Sequence, residues 1–299
     1  MSARGRVFFM LAVTSVVAAS ACLVSIDDSK VQGGGGSDAA GDGTNSDGAS
    51  DGGVGSDASG DASGGCRAGM LSVPDGAKRL FCIDPTEVTV GQYAAFLDDA
   101  GPPDIARLPP ECRWKGFLSY VPDNWNPGGD KTLPVSGVDW CDAWAFCKNA
   151  GKRLCQGIGG GGAEFYEGFA DASASEWMNA CTGGGAHAYP YGAAYDPTAC
   201  AGGDYVPKPT AQLPVKQAAR CIGGYAGLDD MSGNVSEWED SCVDAHVPAN
   251  CDASGPECDQ CHVRGGSFFG TSAQLRCDYG DNVHRRLRLD ELGFRCCAD

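Results

Sequence analysis

The sequence predicts a loop-rich domain with few regular elements, held together by disulfides, and three observations carry that expectation. Only two segments combine helical apolar spacing with recognisable caps. Stretches rich in Gly, Pro, Asn and Asp separate short apolar runs, and Gly alone contributes 45 of 299 residues, about twice its usual share of ~7%. Seventeen cysteines argue against a reducing compartment and for an exported protein.

The N-terminus carries the address. Arg4 and Arg6 precede an apolar run from Val7 to about Ala18, followed by Ala19-Ser20-Ala21-Cys22, the layout of a secretory signal. The run falls short of the ~20 apolar residues that span a bilayer comfortably. Small residues leading into a cysteine resemble a bacterial lipobox, which implies lipidation of Cys22. Ala19 departs from that pattern, where Leu is usual, and ordinary cleavage leaving Cys22 free is the alternative. Leu23 rather than Asp follows Cys22, so the resemblance gives no inner-membrane retention signal. The expected location is the bacterial cell envelope, as an outer-membrane lipoprotein with residues 1–21 as signal peptide. Removing Cys22 from the pool leaves an even number of cysteines for pairing.

Residues 22–65 follow as a tether. From about Gln32 the chain is Gly, Ser, Ala and Asp with almost nothing apolar, so it cannot offset the entropy of ordering. With 22 Lys+Arg against 39 Asp+Glu, the chain carries a net charge of −17. That balance excludes nucleic acid as a partner and an anionic membrane surface as an electrostatic one.

The folded part runs over residues 66–299. Thr89 with Gln92 three residues on forms a capping box. Val90, Tyr93, Phe96 and Leu97 then make a helical stripe that Gly101 ends. A second helix is expected after Asp139, with Trp140, Ala143, Trp144 and Cys147 on one face and Gly151 as its C′ residue. Leu133-Pro134-Val135 and Gly265 to Phe269 are short apolar runs between loops. Staples worth ~2–4 kcal/mol each suit such a chain. Cys66–Cys82, Cys155–Cys181 and Cys200–Cys221 are expected as local pairings. Adjacent Cys296 and Cys297 are expected to take different partners, because a ring between neighbours is strained.

An ordered series of motifs runs through this part: Pro85-Thr86-Glu87-Val88-Thr89, Pro134-Val135-Ser136-Gly137, Ser175-Glu176-Trp177, Tyr189-Pro190-Tyr191-Gly192, Gly227 to Trp238, Arg264-Gly265-Gly266-Ser267-Phe268, and Leu292-Gly293-Phe294-Arg295-Cys296. The series resembles the formylglycine-generating enzyme, or sulfatase-modifying factor, family over nearly all of residues 66–299. The resemblance implies an α+β fold related to C-type lectins, with two helices packed on short sheets.

Active members of that family carry two cysteines after Arg-Gly-Gly-Ser whose thiolates bind copper(I), a soft metal, and oxidise a substrate cysteine with O₂. Here those positions are Gly270 and Leu275, neither a metal donor, and Cys277 just beyond is expected in a disulfide. Ser236 stands where the family has Trp, and Glu291 where it has Asn. The copper oxidase site is therefore expected to be missing, and Ser267, Trp238 and Arg295 are expected to mark an exposed binding pocket. The resemblance also implies a structural calcium, with Asp230 and Glu237 giving side-chain oxygens and Gly233 and Val235 giving carbonyls, the hard donors that calcium takes. An acidic loop capping its own amides is the alternative.

Cys258-Asp259-Gln260-Cys261-His262 also fits the c-type haem attachment pattern, and Cys251, Cys258, Cys261 and His262 offer an irregular zinc set. Four scattered histidines, His187, His246, His262 and His284, lack the spacing of an iron site. Arg285, Arg286 and Arg288 read as a solvated face that offsets the acidic excess. Three functions follow from different classes: a noncatalytic lectin-like binding module on a lipid anchor, a formylglycine-generating oxidase with an altered site, and a haem-carrying redox protein. The first is preferred, its partner being a protein, glycan or envelope polymer.

Overall fold

The structure is a computed structural model that describes residues 65–75, 78–104, 106–115, 118–123, 125–163, 165, 168–243 and 259–299. The signal peptide, Cys22 and the tether through residue 64 lie outside these, as do His246, Cys251 and Cys258. Among the described residues no helix is long and apolar enough to cross a membrane.

Two small sheets and three helices make up the domain. In the first sheet, β1 (Leu71–Asp75) pairs with β2 (Lys78–Ile83), which pairs with β8 (Cys296–Ala298), which pairs with β3 (Arg153–Leu154), all antiparallel. In the second, β6 (Gly280–His284), β5 (Gln260–Arg264), β4 (Ser236–Cys242) and β7 (Leu292–Gly293) lie in that order. Its β4–β7 pair is parallel. This is the expected α+β, loop-rich architecture.

Helix α1 (Val90–Ala100) starts at Thr89, whose hydroxyl accepts from the Gln92 amide at 3.2 Å while Gln92 accepts from the Thr89 amide at 2.8 Å. Such a cap is worth ~1 kcal/mol. Gly101 closes the helix at φ 64°. Helix α2 (Trp140–Asn149) is capped reciprocally by Asp139 and Asp142. Its buried surface is wider than the single expected stripe, because Cys141, Asp142, Ala145 and Phe146 are buried as well. Tyr93 of α1 stacks on Phe146 at 5.6 Å between centroids, and Phe146 meets Phe294 edge-on at 5.3 Å.

Helix α3 (Glu176–Thr182) is buried at all seven residues, its polar Glu176, Asn179 and Thr182 included, and is too short for a periodic pattern to stand out. Its only sequence signals are Ser175, whose hydroxyl accepts from the Met178 amide, and left-handed Gly183 beyond its end.

Seven disulfides join the described elements. Cys66–Cys82 and Cys200–Cys221 form as expected. The Cys155–Cys181 pairing does not: Cys155 bonds Cys297 and Cys181 bonds Cys277. The reason is strand geometry. Successive residues of β8 point to opposite faces, so Cys297 turns toward Cys155 while Cys296 turns toward Cys147 of α2. Those two bridges close loops of 149 and 142 residues; by chain entropy the first to form is worth about 5 kcal/mol, and the second, closing only the short ring left between them, about half that.

Candidate functional site

The site is built from two glycine-containing turns pressed together. In the first, Asp230, Gly233 and Asn234 all adopt positive φ, at 57°, 72° and 59°. Asp and Asn tolerate that conformation better than other residues with side chains. A Cβ on Gly233 would lie 2.2 Å from the Ala201 carbonyl oxygen, so only glycine fits there. The second turn is Gly265-Gly266-Ser267, with φ of 80° and 66° at its glycines. The Gly233 amide donates to the Gly265 carbonyl at 2.9 Å, and the Phe268 amide donates to the Asn234 carbonyl at 2.9 Å.

A recess of about 90 Å³ opens beside this junction, bounded by Ser236, Ser267, Phe269, Gly270, Tyr279 and Glu291 among others. Of the three residues expected to mark the pocket, Ser267 lines it. Trp238 and Arg295 are each 1% exposed and do not. Trp238 donates to the Val138 carbonyl at 3.0 Å. Arg295 grips both oxygens of Glu237 at 2.7 Å and donates to the carbonyls of Asp84 and Asp229.

Gly270 and Leu275 are neighbours in space: a Cβ on Gly270 would lie 3.3 Å from a Leu275 methyl. Leu275 is buried in a cluster with Tyr189, Ala201 and the Cys200–Cys221 bridge. Cys277 is bonded to Cys181, and every cysteine among the described residues is in a disulfide. The residues at this place thus offer no thiolate and do not fit copper(I), which soft sulfur ligands hold.

A buried carboxylate cluster surrounds Arg295. Asp230 accepts from the Lys216 amide at 2.6 Å, and burial pushes its carboxyl up to about 6. Glu237 accepts from Trp177 at 2.8 Å as well as from Arg295. Its Oε1 takes only one of these bonds, which leaves an acceptor position on it. Glu87 accepts from the Asn234 side chain at 3.1 Å through Oε1, while its buried Oε2 has no partner. Burial, with Asp230 next in weight, holds the Glu87 carboxyl well above the usual carboxylate range. Nothing in the residue pattern singled out Glu87 beyond its place in the first motif. Among the described residues, the only three side-chain donors within 4.8 Å of one another are Cys155, Glu176 and Cys297, and those two sulfurs are bonded to each other.

Cys261 and His262 support neither the haem nor the zinc alternative. Cys261 is bonded to Cys242, so it cannot carry the second haem thioether or serve zinc as a thiolate, and Cys258 lies outside the described residues. His262 is no axial ligand either: it is 2% exposed and wedged against Phe165 and Phe169, at 4.4 and 5.0 Å between ring centroids. The arginines near the C-terminus form no solvated face. Arg285 stacks on Trp140 and pairs with Asp259, Arg288 bridges Asp123, Asp139 and Asp142, and Arg286 lies over Trp114.

Paired glycine turns on a small α+β scaffold define a domain of the formylglycine-generating-enzyme type. The chain belongs to the family of the sulfatase-modifying factor enzyme 1-like domain, which matches residues 69–299. The formylglycine-generating enzyme of Bos taurus is 26% identical over 234 residues, covering 69% of this chain and 56% of the enzyme. The chain therefore spans little more than half of that relative's length. Among solved structures, PvdO from Pseudomonas aeruginosa is 19% identical with a TM-score of 0.48, over 77% of this chain and 90% of that one. Treponema denticola variable protein 1 is 19% identical with a TM-score of 0.45, over 73% and 84%.

Proposed function

We propose that this chain is a binding module of the sulfatase-modifying factor family that has given up the oxidase chemistry of its relatives. The observation that carries this reading is the pair Gly270 and Leu275, in contact with each other and lacking sulfur. A recess lined by Ser267, Phe269, Tyr279 and Glu291 keeps surface for contact with a protein, glycan or envelope polymer. The seven disulfides fit an oxidising compartment. Export and attachment through Cys22 complete the proposal. The test is copper(I) titration followed by incubation with a cysteine-containing sulfatase peptide under O₂. No tight copper binding and no formylglycine are expected, and formylglycine production overturns the reading.

Structural calcium belongs to the same proposal. Three buried carboxylates, Glu87, Asp230 and Glu237, face one guanidinium, Arg295, an excess of negative charge that a divalent cation balances. Asp230 and Glu237 would hold it by side-chain oxygens, and Gly233 and Val235 by carbonyls. Its contribution would be to clamp the 230–237 turn. Thermal unfolding in calcium and in chelator tests this, with a higher midpoint expected in calcium; equal midpoints refute it.

A further inference from the structure

A second recess, of about 260 Å³, shares no lining residue with the Ser267 recess. It is formed by α1, α2 and the 102–108 segment. Its floor is Phe96, Leu108 and Tyr120, each 5–7% exposed, and Trp144 stands half-buried at its wall. The i,i+4 spacing on α2 sets Lys148 beside Trp144, with the ammonium 5.7 Å from the ring centroid. Arg107 sits at the mouth with an 89% exposed side chain, paired to Asp104 at 3.3 Å.

Two features distinguish this recess from an ordinary surface dimple. The first is its lining, three aromatic rings and a leucine around a volume near the lower end of ligand pockets. The second is charge. The recess lining carries two cations, Arg107 and Lys148, against one carboxylate, Asp104, in a chain whose net charge is −17. The place of Lys148 in the last turn of α2 suits the helix dipole, but the dipole does not account for the aromatic wall beside it. Burial raises the Tyr120 hydroxyl above its ordinary value, so that group stays a neutral hydrogen-bond donor at the same place.

We propose that this recess binds a small organic anion, an aromatic carboxylate, with its ring between Trp144, Tyr120 and Phe96 and its carboxylate at Lys148 and Arg107. A planar ring meets those walls by stacked or edge contacts. The carboxylate meets an ammonium already held in place by the indole. The proposal stands apart from the reading of the Ser267 recess and needs neither copper nor calcium.

The experiment uses the intact protein with indole-3-acetate and its uncharged analogue indole-3-acetamide, followed by calorimetry and ligand-observed NMR. Saturable binding of the acetate at millimolar concentration or below is expected, about fivefold tighter than the acetamide, the size of one partly exposed charge pair. Lys148→Gln, at an exposed position, should cut that preference to about twofold or less, Arg107 being the cation that remains. Trp144→Leu should weaken both probes, its fold being checked by thermal unfolding. Absence of saturable acetate binding, equal affinity for the two probes, or an unchanged preference in Lys148→Gln overturns the proposal.

Discussion

His262 should make the domain acid-sensitive in a window set by one imidazole. Burial, reinforced by the neighbouring Arg264 charge, holds its folded pKa at about 4 against an ordinary 6.5. The ring is neutral in the fold, donates to the Phe165 carbonyl, and has no hydrogen-bond partner at Nδ1 among the described residues. In the unfolded chain it takes a proton near pH 6.5. The unfolded state therefore binds more protons between pH 6.5 and 4. The contribution is present in full above 6.5 and is lost as pH falls toward 4. A shift of this size corresponds to ~3 kcal/mol, or about 6–12 °C in midpoint for a domain of this length.

Denaturant unfolding of wild type and His262→Gln from pH 4 to 8 measures it. Glutamine removes the titration and keeps a donor for the Phe165 carbonyl. The raised carboxyls of Glu87 and Asp230 act in the opposite sense, stabilising the fold as pH falls. The quantity to read is therefore the difference between the two proteins. That difference should change by about 3 kcal/mol across the window, and the His262 ring resonance should titrate near pH 4 in the folded protein. Parallel pH profiles for the two proteins, or a ring titrating near 6.5, would refute the reasoning.

Other perturbations probe the site and its supports. Gly233→Ala should cost at least ~2 kcal/mol in denaturant unfolding, because it adds left-handed strain to a 2.2 Å clash with the Ala201 carbonyl; a change below half that size refutes the account. Arg295→Leu strips Glu237 of its bidentate partner and should destabilise the fold by ~3–5 kcal/mol, read as a lowered thermal midpoint. Introducing Gly270→Cys and Leu275→Cys together should give tighter copper(I) binding than wild type, seen by competition with a chromogenic chelator under reducing conditions. Replacing Cys147 and Cys296 by Ser should lower stability by about 2–3 kcal/mol, since the neighbouring Cys155–Cys297 bridge still closes most of the same loop.

Much of the domain was legible from residues alone because its signals are local. A capping box needs four consecutive residues, and both Thr89 and Asp139 start the helices they announce. The ordered motifs around Gly233, Ser267 and Arg295 named the family. Helix α3 escaped notice because seven residues are too short a window for periodicity to show.

What the chain could not declare by itself was which distant groups meet. Cys155 lies much closer in sequence to Cys181 than to Cys297, yet the alternation of side chains along β8 decides its partner. Lys115 looks like a surface lysine, but it is fully buried between Asp139 and Asp142. Arg295 and Trp238 carry motif signatures of a site, yet packing turns them inward to hold it up. The sequence determines backbone conformation over a few residues, whereas burial and charge pairing depend on contacts across more than a hundred, and those exist only once the sheets have closed.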